Sequence, residues 1–169
     1  MSDQEVLCAL CASCGPTCCE FREIYVTPGD VGRIEAFSDR RECYEFARPA
    51  DPAYGDQDDD PAWTSCVFRT DGTRRVLRQR SHGACVFLGR QGCVLPTEVR
   101  PLICRLHPYD YDERGVKDVL VAECPVHLLP PGQALIAALG MSLKDARRWH
   151  EQLYQEIRLE RGMIECTSV

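Results

Sequence analysis

The chain has 169 residues, 44% hydrophobic and 27% charged, with 12 cysteines and a formal net charge of −6. That length suits one domain with a modest core, and no apolar run nears the roughly 20 residues of a membrane span. A sequence pI near 5.2 argues against a nucleic-acid reader, which wants a basic face.

The N-terminus Met1-Ser2-Asp3-Gln4-Glu5 lacks the basic and apolar segments of a secretory signal. A cytoplasmic location is therefore expected, where thiols stay reduced and clustered cysteines read as metal ligands rather than disulfides. The run Cys8-Ala-Leu-Cys11-Ala-Ser-Cys14-Gly-Pro-Thr-Cys18-Cys19 puts five sulfurs in twelve residues. Thiolates this dense repel one another unless a cation holds them. The C-x2-C-x2-C-x3-C spacing matches the ligand run of bacterial ferredoxins, with Cys19 where those carry proline.

Gly15-Pro16 favours a turn, and residues 21–26 alternate as a strand does. Thr27 as N-cap, Pro28 at N1 and Asp30 at N3 predict a helix ending near Asp39, with Val31, Ile34 and Phe37 (or Ala36) facing inward. Residues 47–62 read as a surface loop. Its acidic run 56–60 is a solvated stretch, lacking the glycine and terminal glutamate of an EF-hand loop. Strands over 65–69 and 75–80 would form a hairpin about Asp71-Gly72. A short apolar run at 84–88 is closed by Gly89, and a short helix or turn falls within 96–105. Residues 109–112 read as a solvated loop, with a pocket lining as the alternative, and 116–123 as a strand.

Two helices close the chain. The first covers 131–139 and ends at Gly140; the second covers 142–161, with a Ser142/Asp145 capping pair and Gly162 as its stop. Leu143, Ala146, Trp149, Leu153 and Ile157 fall on one face of the second. The fold class expected is α+β: a small, loop-rich, metal-organised domain over residues 1–130, with a C-terminal helical extension over 131–169 packed on it.

Further sulfurs follow the first cluster. Cys85 and Cys93 bracket a glycine-turned loop, Cys104 lies in Arg100-Pro-Leu-Ile-Cys104-Arg105, and Cys124 lies in Glu123-Cys124-Pro125. Arg100 and Arg105 flank Cys104, where they would offset thiolate charge and donate hydrogen bonds to sulfur. Cys43, Cys66 and Cys166 stand alone and read as structural or incidental. His107 and His127 each lie three residues past a candidate ligand, whereas His82 and His150 read as surface residues and Trp149 as core.

Taken together these motifs resemble the CxxCxxCC cysteine-cluster family, of the YkgJ type, whose members are described as zinc- or iron-chelating. Cys11, Cys14, Cys18 and Cys19 carry the first block; Cys85, Phe87, Leu88 and Cys93 the second; Arg100, Pro101, Cys104 and Arg105 the third; and Cys124 the last. The Thr27-Pro28-x-Asp30 segment also resembles the family. The resemblance spans roughly 8–125 and implies eight ligands: Cys11, Cys14, Cys18, Cys19, Cys85, Cys93, Cys104 and Cys124. There are two departures: Gly15-Pro16-Thr17 is one residue longer than the usual linker, and Cys8 is an added sulfur. Adjacent side chains such as Cys18 and Cys19 generally diverge, so two neighbouring centres sharing that corner, or one polynuclear centre, are expected.

The expected cofactor is an iron–sulfur cluster, with Zn²⁺ as the alternative and Cu(I) a third soft candidate. The role would be redox, electron transfer or metal handling. One alternative is a zinc-stabilised interaction module that docks a protein partner through the last helix. Another is an accessory or catalytic domain of a methyltransferase-like enzyme, since some larger proteins with a similar cluster act in protein lysine methylation. The chain shows no glycine-rich nucleotide loop, G-x-S-x-G or H-E-x-x-H. Whether it is an enzyme, its partner and its oligomeric state stay open at this level.

Overall fold

The computed structural model describes residues 3–55, 59–121 and 124–167. Asp56, Gln57 and Asp58 of the acidic run, Ala122 and Glu123 at the end of the expected strand, and the side chain of Cys166 lie outside the described residues.

The first cysteines sit on a helix, α1 (Asp3–Cys14), not on a loop. Gly15 at φ +133° followed by Pro16 ends it. Residues 21–26 are extended but form no ladder. Phe21 at φ +58° breaks the segment at its start, and single bridges, Glu20 to Ala84 and Tyr25 to Val76, replace a strand pairing.

Helix α2 (Pro28–Phe37) has the expected start. The Thr27 hydroxyl accepts the Asp30 N–H at 2.9 Å, and the Asp30 carboxylate accepts the Thr27 N–H at 3.1 Å. Ile34 is buried, whereas Phe37 stands exposed.

Strand β1 (Tyr44–Ala47) and, after a short 3₁₀ turn at Pro52–Gly55, helix α3 (Pro61–Val67) depart from expectation. Residues 65–69 do not form a strand. Asp60 accepts the Trp63 N–H at 3.0 Å and Pro61 occupies the first helical position, which starts a helix. Trp63 and Val67, four residues apart, then bury together. The Asp71-Gly72 turn is present, with Gly72 at φ +79°, but it delivers the chain from α3 into β2 (Arg74–Leu77). β2 pairs antiparallel with β1, Tyr44 opposite Leu77 and Ala47 opposite Arg74.

A tight hairpin of β3 (Leu88–Gly89) and β4 (Gly92–Cys93) follows. Helix α4 (Leu102–Leu106) carries Cys104. Next come β5 (Tyr109–Asp112) and β6 (Gly115–Leu120), an antiparallel pair, so the expected loop at 109–112 is a strand. After a 3₁₀ turn at Val126–Leu128, α5 (Leu135–Ala138) precedes α6 (Leu143–Thr167). The Ser142 hydroxyl caps α6, accepting the Asp145 N–H at 3.1 Å and donating to the Asp145 carboxylate at 2.7 Å. The helix continues through Gly162 rather than stopping there. Mixed α and β elements of this kind make an α+β domain.

Two apolar clusters hold the elements together. The larger joins Leu7, Trp63, Val67, Leu102, Leu106 and Leu139 to Ala146, Trp149, Leu153 and Ile157 of α6. The smaller gathers Val26, Ile34, Cys43, Leu77, Cys85, Phe87 and Leu95. The apolar stripe of α6 is thus buried within the chain, which removes the motive for docking a partner there. His150, expected at the surface, is buried beside Tyr154 and within 2.7 Å of the Asp112 carbonyl. Among the described residues no helix is long and apolar enough to cross a membrane.

Candidate metal centre

Helical geometry sorts the cysteines of α1. A step of three residues falls about 60° short of a full turn. Cys8 and Cys11 therefore share one face, and Cys14 drifts off it. Cys14 is exposed and touches Ser13 at 3.7 Å. Cys8 packs instead against the β3–β4 hairpin. A Cβ on Gly92 would lie 3.1 Å from the Cys8 Cβ, and Gly92 sits at φ +92°, so glycine allows this close approach.

The other sulfurs arrive from separate elements. Cys18 and Cys19 follow the Gly15-Pro16 turn, where the Cys19 N–H donates to the Thr17 hydroxyl at 3.1 Å. The Cys85 N–H donates to the Cys19 carbonyl at 2.7 Å, which ties these two segments together. Cys93 comes from β4 and Cys104 from α4.

Helix α4 is anchored from beneath by Asp30. One Asp30 oxygen accepts both the Leu102 N–H at 3.1 Å and the Arg33 guanidinium at 2.7 Å. Asp30 has no solvent exposure. Arg33 also binds Glu156 at 2.7 Å, and Glu156 in turn accepts the Thr27 hydroxyl. The capping residues of α2 thereby fix α4 and α6 as well.

These cysteines meet in one cavity of about 740 Å³. Cys8, Cys11, Cys18, Cys19, Cys85, Cys93, Cys104 and Cys124 line it, together with His107. The cavity lies where the two apolar clusters join, between Leu7, Trp63 and Leu139 on one side and Leu77, Phe87 and Leu95 on the other. Cys14 is not in its wall. Cys18 and Cys19 both line the cavity, Cys19 half-buried and Cys18 exposed. The Cys124 sulfur lies 3.8 Å from His107 Nε2, whereas His127 is exposed.

Burial pushes the thiols of Cys8, Cys85 and Cys104 above their ordinary pKa, and neighbouring cysteine charges push them further. The Cys18 thiol, followed by burial, does the same to Cys19. Such a wall resists multiple ionisation unless a cation enters. That chemistry fits a soft metal, which takes thiolates and releases their protons on binding. Among the described residues no three Cys, His, Asp or Glu side chains are already gathered closely enough to hold an ion. The fold supplies proximity around one cavity, and the metal would draw the ligands in.

The two arginines divide their work. Arg100 lines the cavity, and its charge works against the upward shift of Cys8. Its Nε donates to the Leu95 carbonyl at 2.8 Å. Arg105 points away into the 95–100 loop, donating to the Arg100 and Glu98 carbonyls at 2.7 Å each. It braces the loop that leads into Cys104.

Cys8, which the sequence marks only as an added sulfur, lines the cavity, and so do Tyr109 and Tyr111, for which a pocket wall is the alternative to a solvated loop. The period of α1 was the missed signal for Cys8. For the tyrosines it was the alternation Tyr-x-Tyr beside a following strand.

A family model named CxxCxxCC, described as "Putative zinc- or iron-chelating domain", matches residues 10–125. No curated protein and no solved structure matches the chain. The matched span takes in every cavity cysteine except Cys8, which this chain adds just ahead of it. With well over half of its length matched, the chain belongs to the CxxCxxCC family of metal-chelating cysteine-cluster domains.

Proposed function

We propose that the cavity holds an iron–sulfur centre and that the protein serves in electron transfer, redox sensing or metal handling. The ligands are Cys11, Cys18, Cys19, Cys85, Cys93, Cys104 and Cys124, with Cys8 rather than Cys14 as the eighth. The observation that carries this reading is the number of thiols that line one cavity. One structural zinc ion closes with four ligands, whereas eight thiols line this cavity; two zinc sites would also use eight, and metal and sulfide content separates them from iron–sulfur clusters. A polynuclear centre, or two adjoining ones, uses them all. Cys18 is exposed at the rim, which would bring one edge of the centre to the surface, as electron exchange with a partner requires.

The test is anaerobic purification followed by iron, zinc and acid-labile sulfide analysis with a visible spectrum. Iron and sulfide in comparable amounts with a charge-transfer band support the reading. A colourless protein with stoichiometric zinc overturns it and makes the centre structural.

A further inference from the structure

The thiol-lined cavity has a second wall. Tyr54, Trp63, Arg74 and Tyr111 line it alongside the cysteines. Arg74 is 1% exposed, so a guanidinium has been taken almost wholly out of water. The Tyr54 ring covers it at 4.0 Å, and its Nη2 donates to Glu23 at 3.1 Å. Its Nε and Nη1 are buried without a hydrogen-bond partner, and so is the Trp63 Nε1. The Tyr54 hydroxyl lies within weak hydrogen-bond reach of both side chains, yet none of the three nitrogens closes a bond of normal geometry to it. Buried donors are nearly always satisfied in folded proteins, so three orphans in one wall mark the place of an acceptor.

Of the four carboxylates that line the cavity, Asp59 is exposed and the other three are already engaged. Asp60 takes the Trp63 N–H at 3.0 Å and the Tyr154 hydroxyl. Glu23 takes Arg74 and the Ala50 N–H. Asp110 pairs with Lys117 at 3.2 Å. What the wall still offers is donors flanked by aromatic rings. Tyr54, Tyr111 and Cys104 all line the same cavity, which joins the donor side to the sulfurs. The cavity, about 740 Å³, falls within the size range of small-molecule sites, roughly 300–1,000 Å³.

We propose that this wall is a binding site for a small organic anion. A carboxylate accepts hydrogen bonds from Arg74 and Trp63, and its apolar body rests against Tyr54 and Tyr111, beside the sulfurs. The inference rests on the metal-centre reading only in placing the ligand next to a metal; the donors themselves are independent of it.

The experiment is calorimetric titration of the protein, purified with its metal, with benzoate and with the uncharged benzyl alcohol. Metal content is measured on the same samples. Saturable one-to-one binding of benzoate is expected, weakened about tenfold or more in benzyl alcohol, in Arg74→Lys and in Trp63→Phe, as loss of a charge-assisted hydrogen bond implies. Trp63→Phe removes only the indole N–H donor and most of the ring remains, so it serves if Arg74→Lys fails to fold. Absence of saturable benzoate binding in metal-replete protein overturns the anion site and leaves the metal centre standing. Equal affinity for benzoate and benzyl alcohol, or for wild type and Trp63→Phe, overturns it too. Benzoate binding to protein that purifies without metal would sustain the anion site while removing the metal reading.

Discussion

Three-residue steps along α1 decide which of its thiols reach the cavity. Cys8 and Cys11 line it and Cys14 stands in solvent. Cys14→Ser is therefore expected to keep the metal content of wild type, while Cys8→Ser and Cys104→Ser purify metal-poor. Metal per chain by mass spectrometry checks the pattern; normal occupancy in Cys8→Ser, or loss in Cys14→Ser, would contradict it. Of the eight cysteines expected as ligands, seven line the cavity, and their place there was legible from sequence because blocks such as Arg100-Pro-x-x-Cys104-Arg105 are local. The exchange of Cys14 for Cys8 was not, since it depends on α1 staying helical through Cys14 and on Gly92 meeting Cys8 from far along the chain.

At the scale of elements, Asp30 is the joint of the molecule. Its buried carboxylate serves α2 as a cap, α4 through the Leu102 N–H, and α6 through Arg33 and Glu156. Asp30→Asn breaks a buried pair and is expected to cost about 3 kcal/mol, read as a lower urea midpoint. An unchanged midpoint would show that α4 is held by other contacts.

The same network gives a pH dependence. Burial raises the Glu156 pKa, but hydrogen bonds from Arg33, Thr27 and Gln152 outweigh it and hold the carboxyl below its ordinary value. A depressed folded pKa contributes stability above the unfolded value of about 4.3, and that contribution is lost as pH falls through the folded value. Burial moves Asp30 the other way, above its ordinary value, so the comparison must isolate Glu156. The urea stability gap between wild type and Glu156→Gln should be wide at neutral pH and narrow in acid. A gap that does not change with pH would contradict the assignment.

Elements were legible where their signals are local. Thr27-Pro28-x-Asp30 announced α2 because both hydrogen bonds of its cap lie within four residues. Helix α3 was not read, because its cap Asp60-Pro61 sits at the end of an acidic, proline-rich stretch and its Trp, Thr and Val content favours strands. Gly162 did not stop α6 because one glycine costs only about 1 kcal/mol in a helix, and the helix formers around it carry the helix on.

For the whole molecule, the cavity forms where two apolar clusters meet, and its wall comes from segments more than a hundred residues apart. No local pattern could reveal that meeting. Because the proposed ligands come from α1, β4, α4, the loops between them and the segment after β6, metal binding is expected to be linked to folding. Removing the metal with a strong chelator under anaerobic, reducing conditions is expected to lower the melting temperature markedly and to loosen α1 first, read as faster amide exchange across residues 8–14. An unchanged melting curve would show that the two clusters alone hold the fold. Thiolate ligation within this cavity is tested most directly by X-ray absorption at the edge of the bound metal, on protein purified without air. The predicted result is a first shell of sulfur alone, at about the 2.3 Å typical of metal–thiolate bonds, with a metal–metal distance beyond it. A first shell dominated by oxygen or nitrogen would contradict it.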